Sequence, residues 1–508
     1  MVAAFLLAIL ILVSPAGTVW SQSSSGDAAM FRGGPAHQGV YPAAGAHFIG
    51  IQWRLATEGP VFSSPAVHDG SVYVGSADGR LYAAELKTGT LRWAADLGSP
   101  VASSPVVVEG VVFAATRDGR LHAVEAQSGR TLWGVATGAD RALPWEHESG
   151  DLYLSSPTAS GDLVLFGSGD GRLYALDRRS GKERWRVETG GRIRSTPAIA
   201  NGRVFVGSGD GRVYCFDLER GTAIWRYDTE GAWLESGKFG YDRRTVQSSP
   251  AVSGGTVFVG ARDGFLYAIS ADSGRLRWRF DHKISWVNSS PAVMDGTVYA
   301  GSSDGQFVHA VDAASGTERW RTPVEGAIVW SSPAVAGDVV LFGDGMGRVH
   351  AVDRASGAPR WRFFTGAVVF SSPVVADGVV LIGSGDGGLY ALRTGAMGPI
   401  ERAVYFDSTL TALIGAAERG LAGFLTGRGY ARLDDRGLEA FLTQRIEDRR
   451  PSVVVFAMEH LPAAVAGDSL ERSLLRRYLD SGGKVVWAGA VPPLLWPRDP
   501  KTGARPTW

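Results

Sequence analysis

The chain contains one cysteine, Cys215, in 508 residues. That excludes an intrachain disulfide framework and any zinc site built on several thiolates. It carries no excess charge: Lys+Arg and Asp+Glu are 51 each. An acidic nucleic-acid backbone or an anionic membrane calls for a basic surplus, so neither is an expected partner of the bulk chain. Long apolar runs are also scarce. The longest stretch, Val2 to Val13, is too short to span a bilayer comfortably and has the length of a secretory signal core. Ser14-Pro15-Ala16 and the small residues after it offer a cleavage site. No Lys or Arg precedes that core, so an uncleaved membrane anchor is the alternative. Residues 1–26 therefore read as signal or anchor plus linker, and the expected location is the periplasm or the cell exterior.

What the chain does have is glycine and tryptophan, 68 and 16 residues, at 20% charged and 45% hydrophobic composition. This is globular, with many tight turns and large side chains to bury. Both residues recur at fixed spacing. Ser-Ser-Pro, once Ser-Thr-Pro, places prolines at 65, 105, 157, 197, 250, 291, 333 and 373. Thirteen residues after each stands Asp78, Asp118, Asp170, Asp210, Asp263, Asp304, Met346 or Asp386, followed by glycine. Fifteen residues on, sixteen once, stands Trp93, Trp133, Trp185, Trp225, Trp278, Trp320 or Trp361.

Each unit of about forty residues holds four strand candidates. In the third copy they are SSPTAS, LVLFGS, LYALD and ERWRVET, rich in β-branched and aromatic residues and separated by glycine turns. Four short antiparallel strands at this period describe a propeller blade, although a solenoid has the same local pattern. Closure decides. The eighth copy stops before its tryptophan strand, and IQWRLAT (51–57) precedes the first copy with Trp53 in the matching place. The N-terminal strand can supply the missing outer strand, which predicts a mainly β fold: a closed ring of eight four-stranded antiparallel blades over residues 30–395.

The stretch DLVLFGSGDGRLYALD (162–177) resembles a phosphate loop at first sight. Its glycines lead into a strand, however, where a dinucleotide loop must lead into a helix. Asp170-Gly171 therefore reads as a hairpin turn. One carboxylate in the turn makes a poor calcium loop. His122, His309 and His350 stand where other copies carry tyrosine and read as blade residues.

These units resemble the PQQ-like repeat, with its Ser-Ser-Pro, Gly-Ser-x-Asp-Gly-x-Leu-Tyr-Ala and Thr/Ser-Gly-x-x-x-Trp pattern. MFRGGPAHQG (30–39) resembles the leader before many such propellers. Two kinds of relative follow from the resemblance. Quinoprotein alcohol dehydrogenases hold pyrroloquinoline quinone and calcium. BamB-like proteins are non-catalytic periplasmic propellers that help assemble outer-membrane proteins. The adjacent-cysteine pair typical of the dehydrogenases is missing. The expectation is therefore a non-catalytic propeller without a cofactor that binds a protein or envelope ligand, with quinone-dependent oxidation as the alternative.

Two places can carry a site. The tryptophan-to-proline spacing is twelve or thirteen residues in six cases but 24 from Trp133 to Pro157 and 25 from Trp225 to Pro250. These long loops carry Trp145, Glu146 and His147, and Trp233, Glu235, Lys238, Tyr241, Arg243 and Arg244. They read as a ligand or partner site, or as loops packed on one another. The second place is the channel entrance. The residues preceding the Ser-Ser-Pro units are Phe62, Ala102, Leu154, Arg194, Gln247, Asn288, Trp330 and Phe370. Arg194, Gln247, Asn288 and Trp330 could hold a planar ligand, or the channel holds only water. Neither the His147 cluster nor any other group has convincing metal or nucleophile spacing.

After residue 395 the pattern changes. AVYFD, VVVFAMEHLP and KVVWAGA read as parallel strands alternating with helices at 408–425, 436–448 and 469–479. This α/β domain over residues 400–497, followed by a tail at 498–508, resembles the flavodoxin-like fold of class I glutamine amidotransferases, above all in LDSGGKVVWAG. It has no cysteine nucleophile, so recognition or assembly is the role that the resemblance leaves.

Overall fold

The computed structural model describes residues 28–42, 47–141, 154–235, 241–283, 285–395, 401–406, 416–457, 461–467 and 473–488. The signal-like N-terminus, most of the first long loop with Trp145, Glu146 and His147, and Lys238 lie outside them. No helix among the described residues is long and apolar enough to cross a membrane.

Eight antiparallel four-stranded sheets form the ring. In the third blade the inner strand Thr158–Ser160 pairs with Leu163–Gly167, which pairs with Arg172–Asp177 and then Glu183–Glu188. The second strand is buried along its whole length, the third everywhere but at its two end residues, and the outer strand is largely exposed, as a sheet packed on both faces with one exposed edge requires. The eighth blade is completed by His47–Ala56, antiparallel to Gly388–Gly395, with Trp53 opposite Ala391. The ring therefore closes by joining the two ends of the repeat region.

Each recurrent residue has a physical task. The second Ser or Thr of every Ser-Ser-Pro unit takes a backbone N–H from the preceding blade. Ser64, Ser104, Ser156, Thr196, Ser249, Ser290, Ser332 and Ser372 are linked in turn, and Ser372 returns to Ser64. The eight bonds are 2.9–3.1 Å long and run unbroken round the channel. The blade tryptophans pack on the following sheet. Six of the eight donate from Nε1 to a carbonyl there at 2.8–3.0 Å. The ring lies over a glycine of the next blade's turn, so a Cβ on Gly274 would sit 2.7 Å from Trp225.

Asp170 Oδ1 accepts from the amide of Arg172 at 2.9 Å, and Oδ2 accepts from the Tyr174 hydroxyl at 2.6 Å and the Gly138 amide at 3.0 Å. The turn thus clips the preceding connection to its own blade, and Gly171 takes a φ of 85°. In the seventh copy Met346 holds the aspartate's place, and Asp344 supplies the carboxylate to His350 at 2.7 Å. His309, another tyrosine substitute, lies 3.1 Å from His282 inside the sixth blade.

The leader does more than precede the ring. Inner strands leave one edge unpaired, and buried backbone groups need partners. Residues 28–39 supply them to six blades in turn. Ala28 pairs with Val67, and the carbonyls of Ala29, Pro35, Ala36, Gln38 and Gly39 accept from Val107, Ile199, Val252, Val293 and Val335 at 2.7–2.9 Å. Val40–Tyr41 then adds a parallel strand to the seventh blade. Arg32, only 2% exposed, donates to the carbonyls of Pro333 and Pro291, both at 2.6 Å.

His37 in this leader is 1% exposed. Burial, assisted by the Arg32 cation, holds its pKa down to about 3. The unfolded chain takes up this proton below about pH 6.5 and the folded one does not, so stability is full above pH 6.5 and falls as the pH drops toward 3. At pH 5 the loss from His37 is about 2 kcal/mol relative to pH 7.5. Urea unfolding at the two pH values should show His37→Gln losing less stability than wild type by about that amount. An equal loss in both proteins would refute the assignment.

The C-terminal domain is a parallel sheet in the order Ala431–Leu433, Glu401–Tyr405, Ser452–Phe456, Lys484–Trp487. Helix Asp435–Asp448 is capped by Asp434, whose side chain accepts from Gly437 N. Helix Leu474–Asp480 is capped by Ser473, and residues 469–472 of the expected helix lie outside the described residues. Helix Ala416–Thr426 is described, whereas residue 408, its expected cap, lies outside the described residues. The turn Ser481-Gly482 lies against Ile49 and Gly50 of the strand that closes the ring.

Candidate functional site: the channel mouth

All eight residues that precede the Ser-Ser-Pro units line one cavity, together with the eight hydroxyl residues of the hydrogen-bonded belt. Phe31 of the leader joins them. The space left inside is about 50 Å³. Arg194, Gln247 and Asn288 are 8%, 5% and 8% exposed and occupy blades four to six. Trp330, Phe370 and Phe62 occupy blades seven, eight and one. Their ring centroids lie 5.0 Å apart from Trp330 to Phe370 and 5.9 Å apart from Phe370 to Phe62. The mouth is therefore polar on one side and aromatic on the other.

The polar side is organised by a residue that spacing does not announce. Arg262, 2% exposed, pairs with Asp242, 1% exposed, at 2.9 Å. It also donates to Gln247 Oε1 and, at 3.4 Å, to Asn288 Oδ1. A guanidinium only donates, so both amide oxygens must face it and both NH₂ groups must face away. Trp286 lies 4.4 Å from the Arg262 guanidinium carbon, stacks on Trp330 with centroids 6.5 Å apart, and meets Tyr241 at 6.4 Å. Arg194 and Arg192 both pair with Asp140. Asp140 and Asp242 sit on the stems of the two long connections, so those loops contribute countercharges to the mouth.

The remaining residues singled out on the second long loop divide. Trp233 closes a short turn of 3₁₀-helix, Glu230–Trp233, and is 71% exposed. Glu235 and Tyr241 are exposed as well. Arg243 and Arg244 instead point into the scaffold, donating to the carbonyls of Asp263 at 2.8 Å and Asp210 at 3.1 Å. They anchor the loop to the turns of blades five and four. Arg262, Trp286, Asp140 and Asp242 escape a reading by spacing. The one available signal is that Trp286 stands two residues before Asn288, the spacing that extended chain would put on one side. Cys215 is buried, and burial pushes its thiol up to about 12, where it is no nucleophile.

The family model described as outer membrane protein assembly factor BamB matches residues 17–148, 135–243, 234–309 and 305–396. The chain belongs to this family. The MJECL34 family matches residues 402–501. The amidotransferase likeness of the C-terminal segment is not what that match supports. No curated protein matches. Among solved structures, BamB from Moraxella catarrhalis superposes with a TM-score of 0.56 at 19% identity, covering 69% of this chain and 98% of that one. The quinohemoprotein alcohol dehydrogenase from Comamonas testosteroni gives 0.60 at 15% identity, covering 76% and 84%. A europium-containing methanol dehydrogenase gives 0.59 at 15%, covering 71% and 91%. At these identities the likeness is one of fold, and it extends to BamB and to alcohol dehydrogenases alike.

Proposed function

We propose that this BamB-family propeller is an exported, non-catalytic protein that binds a protein or cell-envelope ligand and serves as an assembly scaffold. The observation that carries the reading is the mouth itself. It combines half-buried and buried aromatic side chains with buried donors above a narrow channel that Phe31 of the leader lines, a surface suited to recognition, with no reacting group among the described residues that line it.

The alternative, oxidation through pyrroloquinoline quinone and calcium, fits these residues poorly. Calcium takes six to eight oxygen ligands, several of them carboxylates. Among the described residues no Asp or Glu lines the cavity. The nearby Asp140 and Asp242 are held by arginines. Among the described residues no group of three His, Cys, Asp or Glu side chains could hold a metal ion. The cavity is also far smaller than the several hundred Å³ usual for a cofactor pocket.

Two measurements test this. Titration of purified protein with the quinone and calcium should give no stoichiometric binding and no dye reduction on an alcohol; either result would overturn the reading. Envelope extract passed over immobilised protein should leave a partner that Trp330→Ala does not retain. Retention by both proteins would remove the mouth from the interaction.

A further inference from the structure

We infer that the C-terminal domain docks an acidic, extended segment of a partner protein along the edge of its sheet, at a site separate from the mouth of the ring. Three features lead to it.

The first is a group of cations without countercharges. Arg402, Val404 and Phe406 alternate onto one face of the sheet, and the register sets Arg432 of the edge strand opposite Val404 on that same face. Helix Ala416–Thr426 covers the face through Leu421, Ala422 and Leu425, and Arg428 follows its last turn. Arg402, Arg428 and Arg432 are exposed, and none of the three forms an ion pair among the described residues. The described acids flanking the two strands are engaged elsewhere. Glu401 lies 3.7 Å from Arg445 and 3.8 Å from Arg450. Asp434 accepts from Gly437 N at 2.7 Å, and Asp435 accepts from the Tyr405 hydroxyl at 2.5 Å.

The second is aromatic support. Arg402 lies over Tyr430, Arg428 over Phe424 and Arg432 over Phe406, with the guanidinium carbon 5.9, 4.6 and 4.8 Å from the ring centre. A ring holds a guanidinium by its flat face and leaves the N–H fork open to a carboxylate. Phe424 is 57% exposed and adds apolar surface beside the charges.

The third is the edge itself. Ala431–Leu433 ends the sheet and, among the described strands, pairs on one side only. The Leu433 carbonyl accepts from Phe406 N at 2.9 Å, so the alternation of a parallel ladder turns the N–H and C=O of Arg432 outward. One residue thus offers a cation on the face and two hydrogen-bonding groups on the edge. An extended polypeptide satisfies both, because carboxylates at its alternate positions fall on the arginine face. A nucleic acid or a lipid headgroup meets the charge and leaves the edge unused.

Fluorescence anisotropy on the full chain tests this. The probe is a labelled, end-capped hexapeptide, Glu-Thr-Glu-Val-Glu-Thr. Its controls are the same peptide with glutamine for glutamate, the same peptide N-methylated at its central amides, an oligodeoxythymidylate and phosphatidylglycerol vesicles. The acidic peptide should bind at least about tenfold more tightly than either altered peptide, through charge-assisted and backbone hydrogen bonds that those lack. The triple variant Arg402→Gln/Arg428→Gln/Arg432→Gln should erase the preference for glutamate over glutamine, and a wild-type melting temperature would show it folded. If it does not fold, the wild-type comparison decides alone. Equal binding of the glutamate and glutamine peptides overturns the inference, as do tolerance of N-methylation and an unchanged preference in the folded variant. Tighter binding of the oligonucleotide or the vesicles overturns it too. Trp330→Ala should leave the peptide's affinity unchanged, and a loss there would move the peptide to the mouth and remove this site. The ring's envelope partner is read separately through Trp330→Ala, so either site can fail without the other.

Discussion

Trp225→Ala should lower the stability of the ring by about 3–5 kcal/mol, among the largest effects of a single side-chain truncation. A buried tryptophan removes roughly 150–250 Å² from water, worth ~4–6 kcal/mol gross. Trp225 packs on Phe205, with centroids 5.8 Å apart, and over Gly274 of the next blade, to which it also bonds through the Ala271 carbonyl at 2.9 Å. Truncation opens a void between two sheets that the other seven contacts hold in place, so the walls cannot close on it. Urea unfolding should show a lower midpoint. An unchanged midpoint would mean that the blades cohere without this contact.

Asp242→Leu should cost a similar amount, about 3–5 kcal/mol, for a different reason. Arg262 and Asp242 are both essentially inaccessible to water. Removing the carboxylate leaves the guanidinium buried without its counterion, which is far worse than never having had the pair. The double variant Asp242→Leu/Arg262→Met should therefore recover most of the loss, and the coupling between the two sites should be large. Additive effects would show that the pair contributes little beyond its packing. The double variant should also release Gln247 and Asn288 to turn, so it separates stability from the arrangement of the mouth.

The ring was legible because one register repeats eight times. A single Asp-Gly turn says little, whereas seven aspartates thirteen residues from a proline leave few alternatives. Closure was legible for the same reason: Trp53 keeps the tryptophan-to-proline spacing of five of its seven counterparts, to within one residue. Ala431–Leu433 was not, because this short edge strand is largely exposed and has no alternation to read. The mouth was half legible. Arg194, Gln247, Asn288 and Trp330 share one place in the repeat, so the ring had to gather them. Arg262 meets Gln247 and Asn288 only through the curvature of adjacent blades, which linear spacing does not encode. The long loops attracted attention by length, yet Arg243 and Arg244 use their charge to hold the loop on the turns.

The leader has a consequence in time. Arg32 bonds to Pro333, 301 residues away, and Thr57 to Gly387, 330 residues away. Contacts this distant carry a high loop-closure cost and form late. A chain that leaves the ribosome, or crosses a membrane, N-terminus first presents the leader and the closing strand before any blade that they complete. The leader can be paired blade by blade as far as the seventh, but the closing strand must wait until the eighth has emerged. One of the earliest-made strands of the propeller is thus the last it can put in place, and a chain cut before the final blade would leave that strand without a home.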